Sequence, residues 1–141
     1  MRFLIVEDDP LSQKLLKKML EKYAECVVAN NGQEGYDLFC EAADAKMPFD
    51  LITLDVMMPQ ASGTECLSSI RAYESETLQI PEESRVKVIM TTAVDDALTV
   101  YDAHASGCTQ YLVKPIERKR LIMTLERLGL IAHSGPSSTN R

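Results

Sequence analysis

Apolar residues gather in five short runs along the chain, at about 2–6 (RFLIV), 25–29 (ECVVA), 50–54 (DLITL), 86–90 (VKVIM) and 109–113 (TQYLV). The first, third and fourth are nearly continuous in apolar side chains. Strands covered on both faces read this way, which implies a parallel sheet. Between the runs the period changes to three-and-four. From Pro10 to Tyr23, Leu11, Leu15 and Met19, joined by Leu16 and Leu20, are expected to face a core, with Lys14, Lys17, Lys18 and Lys22 turned outward. Asp9 followed by Pro10 is a helix start, a capping acid and then a proline at the first helical position. An Asn30-Asn31-Gly32 turn leads into a second helical stretch, about Gln33–Ala43, and a third covers about Gly63–Tyr73. A fourth, about Asp95–Ala105, closes at Gly107, and a fifth, Ile116–Leu128, lies between Pro115 and Gly129. Strands alternating with helices through short connections predict a doubly wound α/β fold.

Composition narrows the function classes. The 141 residues fit one core, and 45% of them are apolar, ordinary for a globular chain. The formal net charge is -6 and no basic run is dense, which argues against direct nucleic-acid binding. No apolar stretch approaches a membrane span, and the N-terminus lacks a signal-peptide pattern, so a cytoplasmic protein is expected. Cys26, Cys40, Cys66 and Cys108 are widely spaced, and are expected to be reduced and mostly buried. Residues 74–85 (ESETLQIPEESR) form a long acidic link, expected to be a solvated loop with an extended helix end.

In a parallel α/β sheet, ligands bind beyond the carboxyl ends of the strands. The residues standing there are polar in this chain. Glu7, Asp8 and Asp9 follow the first strand, the third ends in Asp55, Thr91 and Thr92 follow the fourth, and Lys114 the fifth. Glu7, Asp8 and Asp55 crowded on one edge call for a hard dication, and Mg²⁺ takes such oxygen ligands. Asp55 could serve as a carboxylate nucleophile toward a phosphoryl donor. Lys114 would bring a compact positive charge and Thr92 a hydroxyl donor. Each also has a plain structural reading: Asp9 as a cap, Asp55 as a turn residue, Lys114 as surface. The functional reading rests on their falling together on one edge.

With these residues in place, the chain resembles a two-component response regulator receiver domain, the CheY-like family. The blocks that carry the resemblance are LIVEDD at 4–9, TLDVMMPQASG at 53–63, VIMTTA at 88–93 and YLVKP at 111–115. The resemblance spans residues 2 to about 129 and implies a flavodoxin-like (βα)5 sandwich with a five-stranded parallel sheet of order 2-1-3-4-5. It implies Asp55 as phosphoacceptor, Asp8 as a direct Mg²⁺ ligand, Glu7 acting on the metal through water, and the Met57 carbonyl as backbone ligand. It further implies Thr92 and Lys114 as phosphoryl-binding groups, with Thr92 and Tyr111 as the switch pair. Pro59 and Gly63 correspond to the shaped loop after the acceptor. Met57 and Val94 hold two variable positions, and their apolar side chains imply slow self-dephosphorylation. Glu7 departs from the commoner aspartate, and the link before the fourth strand is longer than usual.

The family resemblance implies phosphoryl transfer from a sensor histidine kinase or phosphotransfer histidine to Asp55. No enzyme activity is expected beyond the domain's own phosphorylation and dephosphorylation. A downstream protein target is expected on the surface of the fourth helix, fifth strand and fifth helix, including Ala97, Leu98, Tyr101, Tyr111, Arg118, Lys119 and Arg120. The expected organisation is a stand-alone receiver at 1–129 with a disordered tail at 130–141. His104 and His133 are poor candidates for an internal phosphotransfer histidine. A phosphatase with an aspartate nucleophile would want a second acid where Met57 stands, and EDDP at 7–10 would repel a flavin phosphate. A phosphorylation-independent, receiver-like scaffold stays open as the alternative.

Overall fold

The computed structural model describes residues 1–58, 62–93 and 107–132. Five strands run in the order β1 (Arg2–Val6), β2 (Glu25–Ala29), β3 (Leu51–Asp55), β4 (Lys87–Thr92) and β5 (Gln110–Val113). They form one parallel sheet of order β2-β1-β3-β4-β5. Helices α1 (Pro10–Leu20), α2 (Gly32–Asp44), α3 (Gly63–Ala72) and α4 (Arg118–Arg127) connect or follow the strands. The flavodoxin-like order expected from the sequence is therefore the observed one. The predicted helix Asp95–Ala105 lies outside the described residues. So do Pro59, Val94, Ala97, Leu98, Tyr101, His104, His133 and residues 133–141.

Strand alternation splits the core in two. Phe3, Ile5, Leu51 and Ile89 point to one side, where Leu16 and Leu20 of α1 and Leu121 and Leu125 of α4 cover them. Leu4, Val6, Ile52, Leu54, Val88 and Met90 point to the other, under Phe39 of α2 and Leu67 and Ile70 of α3. Leu130 and Ile131 pack on the α1/α4 side. The same parity governs the strand ends. Glu7, Asp55, Thr91 and Lys114 continue the α1/α4 face, whereas Thr92 and Tyr111 continue the other.

Helix α1 starts as expected: Asp9 accepts from the Ser12 N–H and Pro10 opens the first turn. Its buried face differs from the expected one. Leu16 and Leu20 are buried, but Leu11 is 64% exposed and Leu15 52%. The helix carries leucines on two neighbouring stripes, and only Leu16 and Leu20 of the second are buried against the sheet. The four α1 lysines are exposed as read.

The acidic link also differs from expectation. After α3 the chain continues in a π-helical turn, Tyr73–Thr77, and a short 3-10 turn, Glu82–Ser84. Glu74 is not solvated but 1% exposed. Its carboxylate accepts from Arg71 Nη1 at 2.8 Å and from the Val86 N–H at 2.8 Å, so the extra helical turn ties the end of α3 to the start of β4. Arg71 Nε donates to the Gly107 carbonyl at 3.0 Å, which carries the tie on to the approach to β5. The cysteines are free; Cys66 is buried, which pushes its thiol up to about 12, and the other three are half-buried.

Candidate functional site

Three strand ends build a pocket of acids around one cation. The Glu7 N–H still follows the strand ladder and donates to the Ala29 carbonyl, so its side chain is held at the sheet edge, 1% exposed. Asp55 is the last residue of β3, as expected from the sequence, and is 4% exposed. Asp8 lies between β1 and α1 and is exposed. One carboxylate oxygen from each of Glu7, Asp8 and Asp55 lies within 4.8 Å of the others. An all-oxygen set of this kind fits a hard divalent cation such as Mg²⁺ better than a soft metal.

Lys114 enters the same pocket from the end of β5. Its Nζ donates to Glu7 Oε1 at 2.9 Å and to Asp55 Oδ2 at 3.3 Å. The Lys114 N–H donates to the Thr92 carbonyl, extending the β4–β5 ladder and fixing the start of the side chain, and the following Lys114–Pro115 peptide is cis. Burial works against the Lys114 ammonium, but the bond to Glu7 and the charges of Asp55 and Glu7 outweigh it, and its pKa stands above the ordinary lysine value. Glu7 moves the other way from most paired acids. Burial lifts its pKa, and the bonds from Lys114 and the Asp9 N–H only partly offset that. One ammonium shared between two buried acids does not fully compensate Glu7.

The loop after Asp55 is shaped by close backbone contact. The Met57 N–H donates to Asp55 Oδ1 at 3.2 Å, while the Met57 side chain is 72% exposed at the pocket rim. Ser62 and Glu65 form a reciprocal capping box that starts α3, and the Gly63 N–H donates to the Val56 carbonyl. A Cβ on Gly63 would stand 2.2 Å from the Asp55 carbonyl oxygen, so only glycine lets α3 begin against the β3 backbone. Thr92 is buried at the end of β4, and Tyr111 is half-buried in β5. The register pairs Met90 with Tyr111 and Thr92 with Val113, so Thr92 and Tyr111 are diagonal neighbours on one face.

One neighbour of the pocket, Gln13, does not stand out in the sequence, and two others, Leu11 and Leu15, were expected to face the core. Gln13 of α1 donates through Nε2 to the Glu7 carbonyl at 2.5 Å and to Asn30 Oδ1 at 2.9 Å. Leu11 and Leu15 form an exposed apolar rim. A groove of about 380 Å³, lined by Leu15, Met19, Lys114, Pro115 and Ile116 among others, opens beside them. The exposure of the leucines has no local sequence signal, and a polar residue in a helix carrying several others does not announce a contact to the strand before it.

This fold, with acids and a lysine at the carboxyl edge of a 2-1-3-4-5 sheet, defines a CheY-like phosphosignalling class. The family model for the response regulator receiver domain matches residues 3–126, and the chain belongs to that family. Among curated relatives, it is 32% identical over 129 residues to the probable C4-dicarboxylate response regulator DctR of Bacillus subtilis, covering 89% of this chain and 51% of that protein. The chain thus spans about half the length of that relative. Among solved structures, it matches a chain in the co-crystal of the Saccharomyces cerevisiae phosphotransfer protein Ypd1 with the receiver domain of Ssk1. That match has a TM-score of 0.79 at 28% identity and covers 92% of this chain and 88% of that one. Vibrio cholerae chemotaxis protein CheY4 matches with a TM-score of 0.72 at 25% identity, covering 90% and 97%. Receiver domains are signalling modules of two-component systems and are generally not true enzymes. Among the described residues no helix is long and apolar enough to cross a membrane.

Proposed function

We propose that this chain, with residues 1–129 as the receiver unit, accepts a phosphoryl group on Asp55 from a histidine kinase or phosphotransfer histidine in the cytoplasm. In the transfer, an Asp55 carboxylate oxygen forms a bond to phosphorus as the phosphohistidine P–N bond breaks and the imidazole leaves. The observation that carries this reading is the convergence of Glu7, Asp8 and Asp55 within 4.8 Å, with Lys114 bridging two of them. Asp8, Asp55 and the Met57 carbonyl would hold Mg²⁺, with Glu7 acting through water. The ion supplies charge neutralisation on the transferring group. Lys114 then serves the phosphoryl oxygens in place of the Asp55 carboxylate it now touches. Thr92 supplies a hydroxyl, and Gly63 lets α3 start against the Asp55 and Val56 backbone behind the incoming group.

Phosphorylation adds about -1 to -2 of charge at Asp55. Thr92 is drawn toward it, and Tyr111, its diagonal neighbour, follows into the space. The change reaches the surface of β5 and α4, where Arg118, Lys119 and Arg120 are exposed, and a protein target reads it there. The donor docks over Leu11, Leu15 and the groove beside Lys114. The Ssk1 receiver's co-crystal with a phosphotransfer protein supports a donor of that kind.

The test is intact mass after incubation with acetyl phosphate and Mg²⁺, against an Asp55→Ala variant. A gain of one phosphoryl group in the parent alone is expected. No gain in the parent, even with a cognate kinase, overturns the reading in favour of a phosphorylation-independent interaction module.

A further inference from the structure

We infer that Gln13 is a positioning residue for the cation site, acting on the Glu7–Asp8 peptide from the second turn of α1. The inference rests on the reading of Asp8 as a cation ligand. Pairing between β1 and β2 ends at Val6 and Ala29, because β2 turns away through Asn30 and Asn31 into α2. Beyond that point the Glu7 carbonyl has left the β1–β2 ladder, and a half-buried carbonyl needs a donor from elsewhere. Gln13 supplies it through Nε2 at 2.5 Å. Its own N–H donates to the Asp9 carbonyl at 3.0 Å, so one residue holds both sides of Asp8.

Gln13 is held in turn. Its Nε2 also donates to Asn30 Oδ1 at 2.9 Å, and Asn30 donates through its N–H and Nδ2 to Glu34 Oε1 at 2.5 and 3.1 Å. The chain of donors runs in one direction and fixes both amide orientations: Asn30 faces Glu34 with nitrogen and Gln13 with oxygen. Glu34 is further anchored where its N–H meets Asn31 Oδ1 at the start of α2. The Asp8 side chain is exposed, and its placement depends on the backbone that carries it. Outer groups that fix a ligand in this way commonly change metal affinity by about tenfold or more when removed.

The measurement is Mg²⁺ affinity by isothermal titration calorimetry on the unphosphorylated protein, for the parent, Gln13→Met and Asn30→Ala. Methionine keeps the length of Gln13 and removes the donor. A rise of about tenfold in the Mg²⁺ dissociation constant is expected for Gln13→Met and a smaller rise for Asn30→Ala. Phosphorylation by acetyl phosphate should return to within about twofold of the parent once Mg²⁺ is saturating, since the reacting groups are untouched. An unchanged dissociation constant in Gln13→Met overturns the inference. If that variant does not fold, an unchanged constant in Asn30→Ala overturns it instead. A parent that binds no Mg²⁺ fails the receiver reading itself, a separate result.

Discussion

Lys114 and Glu7 stand 107 positions apart in the chain, yet Lys114 Nζ lies 2.9 Å from Glu7 Oε1 with Glu7 almost fully buried. The same ammonium reaches Asp55 at 3.3 Å. A buried acid that depends on one shared cation is sensitive to anything that redirects that cation, and phosphorylation of Asp55 would do so.

The pH dependence of this pair is expected at the alkaline end. The Lys114 pKa is raised in the folded protein, so its contribution is fully present below the ordinary lysine value of 10.5 and is lost as pH climbs through the raised one. The stability difference between the parent and Lys114→Met, by urea denaturation without Mg²⁺, should be flat from pH 8 to about 10 and shrink above that. A difference already shrinking at pH 8 would contradict the assignment. Glu7, also raised, adds stability below its ordinary value of 4.5 that is lost as pH rises through its folded value.

Gly63→Ala should damage the acceptor loop. The new Cβ meets the Asp55 carbonyl oxygen and the Val56 backbone, neither of which is a flexible side chain. A cost of about 2–3 kcal/mol is expected in urea titrations, with slower phosphorylation by acetyl phosphate. A neutral substitution would mean that α3 can start elsewhere.

Glu74→Ala should be among the most destabilising changes to the acidic link. It removes the carboxylate partner from Nη1 of Arg71, whose side chain is 17% exposed, and leaves the buried Val86 N–H without its acceptor. Losing one partner of such a pair costs about 3–5 kcal/mol, read as a lower denaturation midpoint at unchanged slope. Glu76→Ala, an exposed neighbour in the same turn, should shift the midpoint little.

Thr53→Val is expected to stabilise the protein by about 1 kcal/mol. The Thr53 hydroxyl is buried on the α1/α4 face between Ile5 and Ile89 and has no hydrogen-bond partner among the described residues. Valine replaces it at the same shape. A lower melting temperature instead would show that an internal water serves the hydroxyl.

Leu11→Asp with Leu15→Asp should separate donors. Both side chains are exposed, so the fold should tolerate the change. Phosphoryl transfer from a cognate phosphotransfer protein should slow by about tenfold or more, because apolar anchors at an interface carry much of its affinity. Labelling by acetyl phosphate, which needs no docking surface, should be unaffected. Equal loss with both donors would place the effect in the pocket instead of the rim.

Much of this molecule was legible along the chain. Short apolar runs and three-and-four periodicity are local patterns, so the strands and described helices fall within a few residues of where the sequence puts them. The polar residues after each strand are legible for the same reason: a parallel sheet delivers all strand ends to one edge whatever the rest of the fold does. Glu7, Asp55 and Lys114 could therefore be grouped before any contact was known. Asp9 could be assigned to the helix cap because capping needs only neighbours.

What only the tertiary structure decided depends on how elements lie on one another. Two leucine stripes on α1 are equivalent in sequence, and the packing of the helix on the sheet buries Leu16 and Leu20 while leaving Leu11 and Leu15 to solvent. An acid in a charged link looks solvated, yet Glu74 is buried because Arg71 and the Val86 N–H meet it there. Gln13 reaches the Glu7 carbonyl because β2 turns away one residue early. The sequence determined which side chains gather at the sheet edge, since local periodicity sets the strand ends. The packing of helices against that sheet determined which of them are buried and bonded, because those contacts join residues far apart in the chain.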